Sequence, residues 1–221
     1  MEKFNHIELN NEVTKRGDNG FFKLEKDVEA IEEFLREVDF RTVKFSSEMK
    51  RLRYLVEENF YYNIFDKYIE DEILECLELA ANFKFEFKSY MAASKFYKDY
   101  ALKTNDKKQY LENFNQHVFI VAMYLADGDV ALAKELMISM LEQRLQPATP
   151  TFLNSGRSRR GELVSCFLLE VGDSLNSINY IDSTAKQLSK IGGGVAINLS
   201  KLRARGESIK GIKGVAKGVI P

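Results

Sequence analysis

The stretch Glu162-Leu-Val-Ser-Cys-Phe-Leu-Leu-Glu-Val171 decides the fold class of the C-terminal part of this chain. It is apolar at both odd and even positions, which is typical of a strand buried on both faces in an α/β sheet. Asp173 and Ser174 then provide a turn and a cap for a helix over roughly Ser177 to Lys190. A second apolar run follows from Val195 to Leu199, so the order predicts a βαβ crossover.

A proline-containing segment, Gln146-Pro-Ala-Thr-Pro-Thr151, precedes this region. Each proline removes a backbone donor and restricts the residue before it to extended conformations, so we expect no helix through the middle of the segment. All three prolines and ten of the thirteen glycines lie from Pro147 onward, whereas 23 of the 26 aromatic residues lie before it. Two architectures are therefore joined near Gln146.

The part before Gln146 is predicted to be helical. One apolar stripe recurs on the 3.6-residue period of a helix: Leu24, Val28, Ile31, Phe34, Leu35 and Val38. Ser46 and Ser47 offer N-caps for the next helix, from about Met49 to Phe60. Further helices are predicted over the ranges 69–82, 89–103, 108–126 and 129–145.

Charge and composition exclude several classes of protein. The chain has a net charge of −1, which divides into −7 before Pro147 and +6 from Pro147 onward. We therefore expect only the second part to attract anionic ligands. No apolar run reaches the roughly 18 residues of a membrane span, and residues 1–11 resemble no signal peptide, so we expect a cytoplasmic protein that contacts no membrane. Two cysteines and two histidines argue against a metal site.

Several residues of the helical part are interpreted as packing residues. The aromatic clusters, such as Phe60-Tyr61-Tyr62, could stack on bases, but their acidic surroundings would repel phosphates, so we expect no nucleic-acid binding. His117 and Cys76 lie in apolar helices. We interpret His117 as a hydrogen-bonded packing residue and Cys76 as a small buried hydrophobe.

For two features of the second part, the residues alone allow two interpretations each. The triplet Gly192-Gly-Gly194 either permits a tight turn between helix and strand or presents free N–H groups as an anion-binding nest. The basic loop from Arg203 to Lys217 is either solvated or contacts a nucleotide. Its glycine spacing fails the P-loop pattern, and no Rossmann fingerprint follows a strand.

Cys166 is the most informative single residue. A thiol in the middle of an apolar strand is usually inert, because apolar surroundings raise its pKa. However, Ser165 and Cys166 lie between the proline segment and the glycine triplet, so hydroxyl, thiol and backbone donors could converge at one strand edge. That combination suits a phosphorylated substrate and thiol redox chemistry.

Five motifs follow one another from the proline segment onward: Gln146-Pro-Ala-Thr-Pro-Thr-Phe-Leu-Asn154, Glu162-Leu-Val-Ser-Cys-Phe167, Gly172-Asp-Ser-Leu-Asn-Ser-Ile178, Lys190-Ile-Gly-Gly-Gly-Val-Ala-Ile-Asn198 and Leu202-Arg-Ala-Arg-Gly206. In this order they resemble the opening of the catalytic barrel in the large subunits of class I ribonucleotide reductases. Three stretches of the first part are similar to the class Ib branch of that family: Phe4-Asn-His-Ile-Glu-Leu-Asn-Asn-Glu12, Arg16-Gly-Asp-Asn-Gly-Phe-Phe22 and Ser89-Tyr-Met-Ala-Ala-Ser-Lys-Phe96.

The resemblance implies an architecture for the whole chain. Residues 1–145 would form an α-helical N-terminal domain with an incomplete ATP-cone. Residues 146–221 would form the opening βαβ portion of a ten-stranded α/β barrel. Such an enzyme reduces ribonucleoside diphosphates to deoxyribonucleoside diphosphates by radical and thiol chemistry, for DNA synthesis.

The resemblance also assigns roles to residues. Cys166 matches the first of two redox-active cysteines that reduce the substrate and end as a disulfide. Three further positions resemble contacts to the ribonucleoside diphosphate: Thr149, Ser165 and Gly194. Five resemble the site for a deoxynucleotide or ATP effector at a dimer interface: Asp173, Ser174, Leu175, Arg203 and Lys210.

The implied cofactors and partners lie outside this chain, which would itself bind no metal. A di-metal small (beta) subunit would supply the radical, a glutaredoxin- or thioredoxin-like dithiol protein would be the reductant, and the complete enzyme would be a homodimer. No partner cysteine for Cys166 is present before Pro221, so we expect an N-terminal fragment that is inactive alone. The alternatives are a nucleotide-binding regulatory protein or a helical interaction module, neither of them catalytic.

Overall fold

The computed structural model describes residues 4–159 and 161–219 of the chain. They form two compact units. The helical unit comprises the described part of Met1–Pro147 together with Ser155–Arg159. The α/β unit comprises Ala148–Asn154 and the described part of Arg160–Pro221. The boundary after residue 145 remains a prediction, although the structure adds the short segment Ser155–Arg159 to the helical unit.

The helical unit contains seven α-helices in its described residues. No helix within 4–159 or 161–219 has the length and apolar character that crossing a bilayer requires. A short 3₁₀-helix at Ile64–Asp66 precedes α4, and a π-helical turn at Phe96–Tyr100 continues α5. The α-helices are α1 His6–Glu12, α2 Glu25–Phe40, α3 Glu48–Glu57, α4 Glu70–Asn82, α5 Tyr90–Lys95, α6 Phe114–Ala126 and α7 Val130–Leu141.

Helix α6 forms the centre of the helical unit. Its residues from His117 to Met123 are all 0% exposed, and it packs against α4 and α7. A helix that is apolar on every side is stable only when other elements surround it, so the sequence of α6 requires this position. The interpretation of His117 and Cys76 as buried residues is confirmed, since both are 0% exposed.

Helix starts follow the expected capping chemistry. The Ser47 Oγ accepts a hydrogen bond from the Lys50 N–H at 3.2 Å, and the Asp129 Oδ1 accepts one from the Leu132 N–H at 3.0 Å. Each cap satisfies a backbone donor that has no partner within the helix. The predicted positions of α3 and α7 are therefore confirmed to within a few residues at their N-terminal ends.

The predicted helix 108–126 was wrong in its first six residues, because α6 begins only at Phe114. Asn113 and Gln116 form a reciprocal capping box there, with hydrogen bonds of 3.0 and 2.8 Å. The backbone before it pairs elsewhere: the Tyr110 N–H donates to the Arg41 carbonyl at 3.0 Å and the Leu111 N–H to the Leu102 carbonyl at 2.9 Å. These long-range partners cannot be read from local periodicity.

The α/β unit confirms the predicted βαβ order. It contains α8 Thr149–Asn154, β1 Cys166–Glu170, α9 Leu175–Lys190 and β2 Gly194–Asn198. The two strands are parallel, with Cys166 opposite Gly194 and Glu170 opposite Asn198. The Ser174 Oγ caps α9 by accepting a hydrogen bond from the Ser177 N–H at 3.2 Å. The fold is thus a helical N-terminal domain followed by the start of a barrel-type α/β unit.

Two predictions about this unit were wrong. The strand 162–171 is shorter, and it is not buried on both faces: residues alternate between exposed and half-buried, and Leu168 is 86% exposed. Within the described residues β1 pairs only with β2, and the face of β1 that carries Leu168 is exposed. The proline segment is helical from Thr149, because a proline in the first helical turn removes an N–H that has no helical partner anyway.

Candidate functional site

A cavity of about 360 Å³ lies at the start of β1. We call it the strand-edge cavity. Two of the predicted substrate-contact residues, Thr149 on α8 and Ser165 before β1, contribute to its walls. Side-chain hydrogen bonds join α8 to the segment before β1: Thr151 Oγ1 donates to the Leu163 carbonyl at 2.9 Å, and Asn154 Nδ2 to the Glu162 carbonyl at 2.8 Å. The lining residues are Thr149, Pro150, Leu153, Asn154, Gly161, Glu162, Val164, Ser165, Ile191 and Gly192.

Cys166 is the first residue of β1, not a residue in the middle of a buried strand as the sequence predicted. It is an exposed free thiol, and its Sγ lies 3.7 Å from the Ser165 Oγ. An exposed thiol can meet a substrate or a second thiol, whereas a buried one cannot. The geometry therefore favours the redox interpretation of Cys166 over the inert one.

The glycine triplet permits a tight turn and provides no anion-binding nest. Each of its N–H groups donates to a carbonyl of the chain: Gly192 to Ser189 at 3.0 Å, Gly193 to Leu188 at 3.1 Å, and Gly194 to Ser165 at 2.7 Å. Gly192 has a φ of +90°, which other L-residues rarely adopt. The last of these bonds fixes Gly194 beside Ser165, so two predicted substrate contacts are adjacent.

Gly193→Ala should destabilise the α/β unit by about 1 to 3 kcal/mol, the usual cost of an inserted methyl group in a packed site. A Cβ at this position would lie 2.3 Å from the Phe167 ring and 3.0 Å from the Leu188 carbonyl. Chemical denaturation measures the effect. Gly194→Ala is the matched control, because its Cβ would meet only the Ser165 carbonyl, at 3.4 Å. Equal stability of the two variants would contradict the steric role of Gly193.

A second cavity, of about 300 Å³, lies where the turn before α9 meets the basic loop. We call it the loop cavity. Four of the five predicted effector residues line it: Asp173, Ser174, Leu175 and Arg203. The Arg203 Nε donates to the Asp173 Oδ2 at 2.8 Å and its Nη1 to the Ser208 carbonyl at 2.9 Å. Arg203 thus holds the loop against the start of α9.

The structure adds residues to the loop cavity that sequence reasoning did not select. Lys217 lines it, while Lys210 does not, so the role of Lys210 remains a prediction. The positive charge of the loop was a signal for Lys217, but no local pattern distinguished it from the other lysines. The apolar part of the lining is formed by Ile178, Leu202, Ile209 and Ala216.

A buried ionic cluster in the helical unit was not anticipated. The Glu112 side chain is 0% exposed, and its Oε1 accepts hydrogen bonds from the Arg157 Nη2 at 2.6 Å and the Leu102 N–H at 2.7 Å. Because a carboxylate only accepts, the His117 Nδ1, at 2.9 Å from Oε1, donates to it. The Tyr61 hydroxyl donates to Oε2. The hydrogen-bonded packing role predicted for His117 is confirmed.

The cluster keeps Glu112 ionised. Burial is the largest effect and opposes ionisation, but Arg157, His117 and the Tyr61 hydrogen bond together lower the pKa of Glu112 to about 2. Burial and the nearby Glu112 charge raise the pKa of Tyr61. Arg51, with its side chain 3% exposed, adds a further positive charge nearby and pairs with Glu48 at 2.9 Å. A buried carboxylate that accepts this many hydrogen bonds holds the surrounding side chains in one arrangement, because each donor would otherwise lose its partner.

Three family models match successive parts of the chain. The ribonucleotide reductase N-terminal model matches residues 6–85, the all-alpha domain model matches 86–160, and the barrel domain model matches 164–221. A helical unit followed by the βαβ start of a barrel-type α/β unit defines the class as a two-part protein, all-α and then α/β barrel. The chain belongs to the ribonucleotide reductase family, as part of a large subunit.

Individual relatives are large-subunit proteins. The chain is 50% identical over 216 residues, 97% of its length, to the ribonucleoside-diphosphate reductase subunit alpha of Bacillus subtilis, of which it covers 31%. It is 50% identical over 218 residues to the NrdEB subunit alpha from the same organism, covering 20% of it. It is 41% identical over 218 residues to the corresponding Mycoplasma pneumoniae subunit, covering 30%. The chain thus spans less than a third of these relatives.

Proposed function

We propose that this chain supplies the N-terminal part of a ribonucleoside-diphosphate reductase alpha subunit. The observation that carries the proposal is the exposed Cys166 thiol at the start of β1, opposite Gly194 and directly after Ser165, which lines the strand-edge cavity. The relatives named as ribonucleoside-diphosphate reductases support it, since their similarity covers almost the whole of this chain.

The chemistry assigns a distinct task to each group. The hydroxyls of Thr149 and Ser165 can hydrogen-bond a ribose or a phosphate in the strand-edge cavity. Cys166 and a second cysteine would each give one electron and one proton. The 2′ carbon–oxygen bond breaks, a carbon–hydrogen bond forms, the hydroxyl leaves as water, and the two thiols end as a disulfide. Cys76 cannot be that second cysteine, because it is buried in α4 of the helical unit.

The remaining partners follow from the same proposal. A radical must be supplied to start the reaction, which we assign to a di-metal small subunit, and a dithiol protein must reduce the disulfide after each turnover. The loop cavity would bind a deoxynucleotide or ATP as effector, with Arg203 and Lys217 as the cations of its lining; Lys210, on the same loop, would have to reach the effector from outside that lining. A second copy of the alpha subunit would complete this site.

A chimera tests the proposal. Residues 1–221 replace the matching N-terminal part of the Bacillus subtilis alpha subunit, to which they are 50% identical. We expect the chimera, with the B. subtilis small subunit and a dithiol, to reduce a ribonucleoside diphosphate. The unaltered B. subtilis enzyme is the positive control. A folded chimera that binds the small subunit and the effector but forms no deoxyribonucleotide would favour the regulatory alternative.

The loop cavity yields a separate prediction. In the chimera, Arg203→Ala should weaken deoxynucleoside triphosphate binding about tenfold or more, because a hydrogen bond to a charged group contributes roughly 1.5 to 3 kcal/mol and each decade corresponds to 1.4 kcal/mol. Calorimetry measures the affinity. Lys213→Ala is the charge-matched control, since Lys213 belongs to the same loop but does not line the cavity. Equal losses in both variants would indicate only a general effect of loop charge.

A further inference from the structure

The basic loop is an ordered hairpin rather than a freely solvated segment. The Gly206 N–H donates to the Ala216 carbonyl at 2.9 Å, and Ile209 and Ile212 exchange two N–H···O hydrogen bonds of 3.0 Å. Lys210, in the turn between this last pair, has a φ of +50°, as a two-residue turn of type I′ requires. The loop therefore keeps its shape by its own backbone pairing, and its attachment to the rest of the α/β unit depends on other contacts.

One ion pair attaches this hairpin to the turn before α9. The Arg203 Nε donates to the Asp173 Oδ2 at 2.8 Å, and the Arg203 backbone N–H donates to the Oδ1 of the same carboxylate at 3.2 Å. The Arg203 Nη1 donates to the Ser208 carbonyl at 2.9 Å and its Nη2 to the Asp173 carbonyl at 3.4 Å. No other residue of the basic loop forms an ion pair within the described parts of the chain. All three guanidinium nitrogens are therefore engaged in this attachment.

The attached arginine is also the cation that an anionic ligand would meet. Arg203 and Asp173 both line the loop cavity, where Lys217 is the third charged residue. An anion that binds the Arg203 guanidinium comes close to the Asp173 carboxylate, which carries the same charge. Solvent screens this repulsion only in part, because the Arg203 and Asp173 side chains are 34% and 36% exposed. An entering anion therefore competes with Asp173 for Arg203.

We propose that the Asp173–Arg203 ion pair is a latch that an anion opens: Asp173 holds the Arg203 guanidinium until a triphosphate takes its place. Asp173 thereby weakens the binding of a bare polyphosphate. It favours a ligand that also carries a hydrogen-bond donor, since a freed carboxylate only accepts, and a nucleoside triphosphate has such donors on its sugar and base. That the anion belongs to an effector rests on the proposed function, whereas the competition for Arg203 does not.

Calorimetry with inorganic triphosphate on the 221-residue chain tests this competition. Asp173→Asn should bind triphosphate about fivefold more tightly, which corresponds to about 1 kcal/mol, the upper end for an exposed ion pair. If the pair only kept the loop folded, the same change would weaken binding and overturn the proposal. Glu170→Gln is the charge-matched control, because Glu170 pairs with Lys201 at 2.8 Å and does not line the loop cavity. Equal tightening in the two variants, or no measurable binding to any of these chains, would also overturn it.

A double variant shows whether Asp173 acts through Arg203. The gain from Asp173→Asn should largely disappear when Arg203 is already replaced by alanine, because no guanidinium is left to release. A gain of unchanged size would show that Asp173 repels the anion directly, and the latch would then be wrong.

Amide hydrogen exchange shows whether the latch opens. Ligand binding ordinarily slows exchange, but inorganic triphosphate should speed exchange at the Arg203 amide several-fold, since this N–H loses its Asp173 acceptor. The Gly206 amide, which donates to Ala216 within the hairpin, is the control and should not exchange faster. Tight binding with slower or unchanged exchange at Arg203 would mean that anion and carboxylate share the guanidinium, which contradicts displacement.

The chimera separates this proposal from the proposed function. Asp173→Asn should lower its preference for a deoxynucleoside triphosphate over inorganic triphosphate about tenfold or more, because the charged acceptor for the nucleotide is lost. An equal gain for both ligands would contradict the selective role of Asp173. A chimera that binds inorganic triphosphate as described but no deoxynucleoside triphosphate would count against the proposed function alone, because the latch does not depend on the nucleoside.

Discussion

Glu112→Ala is expected to lower the free energy of unfolding by about 3 to 5 kcal/mol, the usual cost of removing one partner from a buried ion pair. The change leaves the Arg157 guanidinium, the His117 ring and the Leu102 N–H without their common acceptor, at a position where the Glu112 and His117 side chains are 0% exposed. A loss of this size is a large part of the stability of a typical domain. Urea denaturation followed by circular dichroism measures it.

Glu142→Ala is the matched control for this experiment. Glu142 is also a glutamate paired with an arginine, Arg144 at 2.6 Å, but both side chains are exposed. An exposed pair contributes less than about 1 kcal/mol, so the control should be nearly neutral. Similar losses in the two variants would show that burial of the Glu112 cluster does not determine its effect.

The same cluster predicts a dependence of stability on pH. The pKa of Glu112 falls from its ordinary 4.5 to about 2 in the folded chain, so its contribution is fully present above pH 4.5 and is lost as the pH falls toward 2. At about 1.4 kcal/mol for each pH unit, the contribution is roughly 3 kcal/mol. Glu112→Gln should flatten the stability curve in this acid range. If the stability of Glu112→Gln fell between pH 4.5 and pH 2 as steeply as that of the unsubstituted chain, the low pKa of Glu112 would be contradicted.

Cys166→Ser should reduce multiple turnover by the chimera to background while leaving substrate binding nearly intact. Serine is almost the same size as cysteine, but a hydroxyl cannot form the disulfide that carries two electrons away from the substrate. Since Cys166 is exposed at the start of β1, the substitution removes no core contact and should not unfold the α/β unit. Deoxyribonucleotide formation with a dithiol reductant is the measurement.

Cys76→Ala is the control for this assignment. Cys76 is the other cysteine of the chain and is buried in α4, where burial raises the pKa of its thiol. We expect this variant to retain turnover with only a modest loss of stability. Undiminished turnover in Cys166→Ser would remove Cys166 from the chemistry and leave the strand-edge cavity without a redox group.

Local sequence predicted the helical part well where helices are capped and amphipathic. The apolar stripe beginning near Leu24 became α2, and Ser47 and Ser174 cap α3 and α9 as expected. Prediction failed where backbone groups pair over long distances. Residues 108–113 have a helical composition, but Tyr110 and Leu111 hydrogen-bond to Arg41 and Leu102, and no periodicity records such partners.

The sequence by itself determined the strand, helix, strand order of the α/β unit and the family motifs, because these depend on local propensity and on short ordered patterns. Only the tertiary structure decided that Cys166 is exposed, that the glycine N–H groups are already paired, and that Glu112 and Arg157 form a buried ion pair. Burial and pairing depend on residues distant in the chain. Glu112 and Arg157 are 45 positions apart, so neither side chain shows its partner until the helices have packed.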